Sequence, residues 1–479
     1  MTKKSTAVPQ MSLLSGSQTE MIHRASLQIL SQTGVRVYHD RALQLLKDAG
    51  AKIEDGNLVT FPEELIDWAL EGAPSEITLF NRGSEEPGAV LEGMRVNFGT
   101  GSDCLNYLDP RSGERRPFQT ADVIDAIHVV DALPELDFCM SMGIPADLGE
   151  DNAYQHQYAL LLEHTTKPVV FVCDDEEDCR QISRMAAAAA GGMEQLMKHP
   201  TLLLYSEPST PLQHSETATG KLLFMAENSL PIVHSPAPMM GGTAPITLAG
   251  GLALGNAEAL SSLVMHQLTN RGAPFVYGSG LHHIDMKTTI SVYSAPEFQL
   301  ARAAVAQMGR YYNLPSWGYA GHSDSCVMDE QAAADAAFSV LVALLGGNNL
   351  VHDVGYLEAG LTTSPEMIVF TAEMISMARR FMSGISFSEE HLALEIIDQI
   401  GPGGDFLSTD HTFDHFRSFW QPMLFSRQRV EEWEADDSPR LGDRLKEKTV
   451  QIIQDHQPQP LPDSVKSEIQ QILNQDSTS

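Results

Sequence analysis

Apolar positions set three and four apart open the chain. "TEMIHRASLQILSQTG" carries them at helical spacing and stops on Gly34, and residues 40–49 repeat the pattern. "AKIEDGNLVTF" then alternates apolar and polar positions around an Asp-Gly turn, which predicts a hairpin. "FPEELIDWALEGAP" predicts another helix, with Pro62 near its first turn. Together these segments predict an α+β extension over residues 1–92.

A different rhythm follows. Short apolar runs appear at "RVNFGTGSD", "LDFCMSMGIP", "PVVFVCDD", "TLLLYSEPS", "PIVHSPAP", "PFVYGSGLHH", "PSWGYAGHSD" and "NLVHDVGYLE". Helix-length segments such as "TADVIDAIHVVDAL" and "EDCRQISRMAAAAAGG" separate them, and Pro168, Pro231, Pro274 and Pro315 open strands where no sheet donor is needed. Eight such units over roughly 290 residues have the count and size of a (β/α)8 TIM barrel, expected over residues 93–384. A doubly wound sheet is the alternative, but no strand leads into a GxGxxG turn. "GGLALG" lies inside a helix start and is read as close packing. Residues 385–479 return to helices, with a Gly-rich break, clustered aromatics and a charged tail.

Composition narrows the function. The chain of 479 residues has 63 Asp and Glu against 31 Lys and Arg, a formal charge of −32. Such a surface repels phosphate backbones and argues against nucleic acid as a partner. It would favour cationic substrates, although solubility alone also explains it. Cys104, Cys139, Cys173, Cys179 and Cys326 form no CxxC pair, which fits a reducing compartment. No signal-peptide core or uninterrupted membrane-length run is present, so a cytoplasmic protein is expected, as a homo-oligomer.

A barrel places its active site at the strand C-termini. Those ends supply Asp103, Met140 to Met142, Asp174, Tyr205, Glu207, His234, Tyr277, His282, His283, Tyr319, His322, Asp324, His352, Asp353 and Tyr356. Some have plainer readings. Asp174 begins "DDEEDC", a helix N-cap with first-turn acids, and the methionines of "FCMSMG" read as core filler. Glu207, between Ser206 and Pro208 at a strand end, must be hydrated, paired or functional. There is no HExxH, GxSxG or P-loop, so metal hydrolysis, serine-nucleophile chemistry and phosphate binding lack their motifs. Tyr, Trp and carboxylate side chains at a barrel mouth suit a small cation.

Three stretches, "GHSDSCVMDEQAAADAAF", "NNLVHDVGYLEAG" and "GGDFLSTDHTFDHFRSFWQPML", resemble the trimethylamine:corrinoid methyltransferase superfamily. The resemblance covers most of the chain and points to the branch without pyrrolysine, which includes glycine betaine:corrinoid methyltransferase. It implies a barrel that hands a methyl group from a methylated amine to Co(I) of a corrinoid (cobalamin) on a separate partner protein. The pyrrolysine of the trimethylamine branch follows the seventh strand in a segment like "SDSCVMDEQ", where this chain has ordinary residues, with Cys326 as the counterpart. A quaternary amine is therefore the expected substrate: glycine betaine first, then proline betaine or carnitine.

Within that reading, Asp103 and His352 end strands one and eight, neighbours when a barrel closes, and form the expected catalytic pair. Tyr205, Glu207, Tyr277, Tyr319, His322, Asp324 and Tyr356 are the expected substrate-binding residues. No tightly bound metal is expected. A metal-dependent barrel hydrolase and a non-catalytic betaine-binding protein are the competing readings.

Overall fold

Parallel strands at Asn97–Thr100, Val169–Phe171, Leu202–Ser206, Ile232–His234, Phe275–Val276, Trp317–Tyr319 and Leu350–Val354 carry the centre of the molecule. They come from a computed structural model that describes residues 5–149 and 152–475. The four strands from Val169 to Val276 pair in sequence order. Trp317–Tyr319 pairs with Leu350–Val354, which pairs with Asn97–Thr100. Single parallel bridges join the two runs: Tyr277 to Ser316 on one side, Gly99 to Phe138 and Cys139 to Val169 on the other. The parallel pairings thus return to the strand on which they began. The expected second strand, "LDFCMSMGIP", is reduced to the bridging residues Phe138 and Cys139.

Strand alternation sorts the side chains into two cores. Phe138, Met140, Val170, Leu203, Val233, Val276, Trp317 and Leu350 meet inside the ring. Their neighbours Val169, Phe171, Leu202, Leu204, Ile232, Phe275 and Val351 pack outward beneath the helices. Strands buried on both faces need apolar residues at every position, which is why these runs show no polar alternation.

The inner core has a floor. The hairpin Ile77–Phe80 with Pro87–Leu91 contributes Ile77, Leu79, Ala89 and Leu91 to it. Phe80 N–H donates to Pro200 O (2.8 Å) and Asn97 Nδ2 to Val90 O (2.8 Å), so the hairpin is fastened at the beginnings of strands. The N-terminal segment therefore closes the ring from below.

The rest of that segment follows its sequence signals. Ser15 caps the helix Gly16–Gln28 through a capping box with Gln18. A π-turn, Ile29–Thr33, ends at Gly34, whose φ of 75° and distance of 2.5 Å from a would-be Cβ to Val59 O leave room only for glycine. Val35–Val37 pairs with Leu58–Thr60 and with Gln213–His214, which stitches this segment to the central strands. One helix among the described residues, Leu248–Thr269, is long and apolar enough to cross a membrane, and here it is almost wholly buried. Its Gly255 lies against Ser279, where a Cβ would come within 2.5 Å of the hydroxyl, as the packing reading of "GGLALG" expects.

On the far side, the buried carboxylate of Glu373, in helix Pro365–Met382, accepts from the backbone N–H groups of Met423, Leu424 and Phe425 at 2.9–3.3 Å. That anchors the aromatic C-terminal segment. Helices Leu441–Asp455 and Asp463–Gln475 then lie on the outer helices Thr120–Ala132 and Glu176–Ala190 respectively.

Candidate active site

The strand C-termini open on a cavity of about 280 Å³ lined by Asp103, Tyr205, Glu207, Tyr319, His352, Asp353 and Tyr356, with Tyr293, Phe298 and His282 beside them. A wider hollow of about 740 Å³ lies in the C-terminal segment between Arg380, His391 and Phe419, away from the strand ends.

Parity explains part of the lining. Trp317 and Tyr319 point inward, while Gly318 faces Asn348, where a Cβ would come within 2.6 Å. His352 packs between them, its ring centroid 4.4 Å from Trp317 and 4.3 Å from Tyr319. Asp353 would point outward in a regular strand. Its φ of 79° and a register shift between Val351 and Val354 turn it back, so two consecutive side chains face the cavity. Asp103 has a φ of 67° and is turned in similarly.

Three carboxylates converge here. Asp103 accepts from Ser102 Oγ (2.9 Å), and burial pushes its carboxyl above the usual range. Glu207 accepts from the Tyr205 hydroxyl; burial, with Asp103 and Asp353 adding to it, pushes its carboxyl up to about 6. Both touch the cavity's solvent yet are ringed by protein, which is why their charged forms are disfavoured. Asp353 lies between two imidazoles. His352 Nδ1 is 2.8 Å from Oδ1, without the alignment of a hydrogen bond, and His322 Nδ1 is 3.8 Å from Oδ2. Buried His352 Nε2 and Asp353 Oδ2 have no hydrogen-bond partner among the described residues. Buried polar atoms are normally partnered, so His352 Nε2 and Asp353 Oδ2 keep hydrogen-bonding capacity on the cavity side.

Some sequence expectations need correction. Asp103 and His352 share the cavity, but the carboxylate beside His352 is Asp353, because the turned backbone brings the adjacent residue closer than the neighbouring strand's end. Tyr277 follows inward Val276 and so points outward, donating to Asn256 Oδ1 (2.8 Å). Asp324 does not line the cavity; it accepts from Tyr293 N–H and Ser294 N–H, both at 3.0 Å. His322 lies behind the wall and donates Nε2–H to Tyr293 O (3.0 Å). His234 is buried against His214, ring centroids 6.3 Å apart, outside the lining. The helix after Asp174 is capped by Asp175, and Cys326 is exposed outside the cavity. Tyr277→Phe is accordingly expected to cost about 1 kcal/mol of stability in chemical denaturation and to leave turnover unchanged.

Two wall residues escape a strand-end search. Tyr293 follows the hairpin His282–Ile284 with Ser291–Val292, and its ring stacks on Phe298 at 5.3 Å. Beneath them Arg302 is fully buried, donating to Ser279 O (2.6 Å) and Leu281 O (2.5 Å), with its guanidinium 4.5 Å from the Phe298 ring and 4.6 Å from the Tyr319 ring.

Comparison with known proteins places this geometry. The sequence profile described as "Trimethylamine methyltransferase (MTTB)" matches residues 2–478. The chain is 31% identical over 455 residues to the trimethylamine methyltransferase MttB of Desulfitobacterium hafniense, covering 95% of this chain and 92% of that protein. It is 30% identical over 472 residues to MttB of Methanosarcina barkeri, covering 97% and 95%. A glycine betaine methyltransferase of Desulfitobacterium hafniense is 28% identical over 473 residues, covering 98% of each. Among solved structures, the Methanosarcina barkeri monomethylamine methyltransferase (MtmB) superimposes with a TM-score of 0.53 at 13% identity, covering 92% of this chain and 89% of that one, a likeness of fold alone. With a family profile matching nearly every residue, this chain is a methyltransferase that belongs to the trimethylamine methyltransferase (MTTB) family.

Proposed function

We propose that this chain transfers a methyl group from a small quaternary amine to Co(I) of a corrinoid carried by a separate protein. The observation that carries the reading is the cavity itself: Tyr205, Tyr293, Tyr319 and Tyr356 wall it, and Asp103, Glu207 and Asp353 give it negative charge. Ring faces and carboxylates both stabilise an ammonium group. The closed order of parallel pairings is read as a (β/α)8 barrel with residues 93–384 as its catalytic body and flanking segments 1–92 and 385–479, in a cytoplasmic protein.

A Co(I) corrinoid, once docked, supplies the nucleophile that accepts the methyl group. This chain's residues bind, orient and exclude water. A quaternary ammonium departs as a neutral tertiary amine, so no general acid is required. Its charge vanishes during transfer, and binding that charge too tightly in the ground state would slow the reaction. Aromatic contacts of about 0.5–2 kcal/mol each suit this. The bonds from Ser102 to Asp103 and from Tyr205 to Glu207 already engage part of the carboxylate charge.

The rim supports a protein partner. Leu105, Ile246, Met286, Ile290, Val327 and Leu361 are exposed large apolar side chains on loops that follow the parallel strands, and so share the mouth face. Exposed apolar side chains gathered on one face are what a protein partner would cover.

The test is a panel of quaternary amines, with trimethylamine, incubated with the enzyme and Co(I) corrinoid while the cobalt spectrum is followed. Amine-dependent consumption of Co(I) by quaternary amines but not trimethylamine is expected. Equal turnover of trimethylamine would refute the substrate class. Amine binding with no cobalt change would favour a non-catalytic binding protein.

A further inference from the structure

The betaines named from sequence each carry a carboxylate, and the lining is poorly equipped to receive one. No Lys or Arg side chain among the described residues lines the cavity. The nearby cations are committed elsewhere: Lys221 Nζ donates to Cys173 O (2.7 Å), and Arg302 donates to Ser279 O and Leu281 O behind the Phe298 and Tyr319 rings. Several neutral donors are committed as well. The Tyr205 hydroxyl is given to Glu207 and the Tyr356 hydroxyl to Ser102 O, while His282 Nδ1 lies 2.9 Å from Gly280 O. A carbonyl can only accept, so His282 donates Nδ1–H there and keeps Nε2 as a lone pair.

Three acceptors remain open, His282 Nε2, unbonded Asp353 Oδ2, and Glu207, whose single bond comes from Tyr205, and the open donors are all uncharged. A substrate carboxylate would have to sit among Asp103, Glu207 and Asp353, with only the uncharged donors of His352, Tyr293 and Tyr319 to meet it. Like charges so placed repel, and the partial desolvation of a cavity walled by protein strengthens that repulsion. A hydroxyl donor would instead satisfy an open acceptor.

We infer that the site takes a quaternary ammonium bearing no anionic group, a net cation with a neutral hydrogen-bond-donating arm, and discriminates against zwitterionic betaines. The inference rests on the methyl-transfer reading for its reaction but on the cavity's donor and acceptor inventory for its selectivity. Glu207 and Asp103 are the specificity-determining residues, since their carboxyl groups face the cavity beside Asp353, where an anionic arm would lie.

Calorimetric titration of the full-length enzyme, without corrinoid, with choline, tetramethylammonium and glycine betaine tests selectivity apart from transfer. Choline is expected to bind at least about tenfold tighter than glycine betaine, with tetramethylammonium between them because it lacks the arm. Glu207→Gln keeps the side chain's shape and should narrow the choline-to-betaine ratio at least about threefold. Asp103→Asn gives the same readout should Glu207→Gln fail to fold. Glycine betaine binding as tightly as choline, or an unchanged ratio in a folded variant, overturns the inference. The same amines with Co(I) corrinoid separate the two claims. Betaine-dependent Co(I) consumption with betaine preferred would sink the selectivity and leave methyl transfer standing. Selective choline binding without cobalt consumption would do the reverse.

Discussion

Asp353→Asn is expected to lower kcat/KM for methyl transfer by about 10²- to 10³-fold with the thermal midpoint nearly unchanged. Asparagine is nearly isosteric with aspartate and tolerates left-handed backbone, so the φ of 79° at this position can be kept. What is lost is charge. Asp353 faces the cavity with Oδ2 unbonded and lies against His352, with His322 behind it. Removing one partner of a desolvated charge contact typically costs about 3–4 kcal/mol, which is the stated factor at 1.36 kcal/mol per decade. Initial rates of Co(I) consumption and a melting curve on the same preparation check it. A folded variant within about threefold of wild type would remove Asp353 from the binding role argued above.

Trp317→Ala should produce the largest loss of stability, about 3–5 kcal/mol. Trp317 is fully buried in the inner core and touches Phe138, Tyr205 and His352 at centroid separations of 6.3, 5.3 and 4.4 Å. The wall's imidazole rests on this ring, so activity should fall further than unfolding alone explains, even at temperatures where the variant stays folded. Urea denaturation followed by far-ultraviolet circular dichroism measures the first effect, and activity well below the midpoint the second. A loss under about 1 kcal/mol would mean that the ring's interior repacks around the gap.

The strand rhythm was legible because the central strands are buried on both faces and most carry short apolar runs, as in Val169–Phe171 and Ile232–His234. The same alternation could have excluded Tyr277: in "PFVYG" an inward Val276 requires an outward tyrosine, whereas in "SWGYA" Trp317 and Tyr319 share the inward parity. Asp353 went the other way, since parity alone sends it outward and only a local left-handed residue brings it back. Nothing in "NNLVHDVGY" announces that turn except the glycine two positions later, with a φ of 102°. Tyr293 follows a hairpin and Phe298 lies at a helix start, places that no strand-end rule reaches, and Asp324, expected in the site, instead holds Tyr293 in place through the backbone. Loop-borne geometry depends on contacts far apart in sequence, which a local pattern does not record.

The hairpin at residues 77–91 has a kinetic consequence. Ile77, Leu79, Ala89 and Leu91 fill the bottom of the inner core, so the cavity opens on the strand-end face, the same face that the methyl transfer proposed above gives to the corrinoid protein. On that proposal amine and methyl acceptor share one passage, and the expected order is compulsory: amine in first, corrinoid protein second, and the demethylated amine released only after the partner departs. Excess corrinoid protein should accordingly act as a stopper on the empty cup, inhibiting at low amine and ceasing to inhibit as amine approaches saturation.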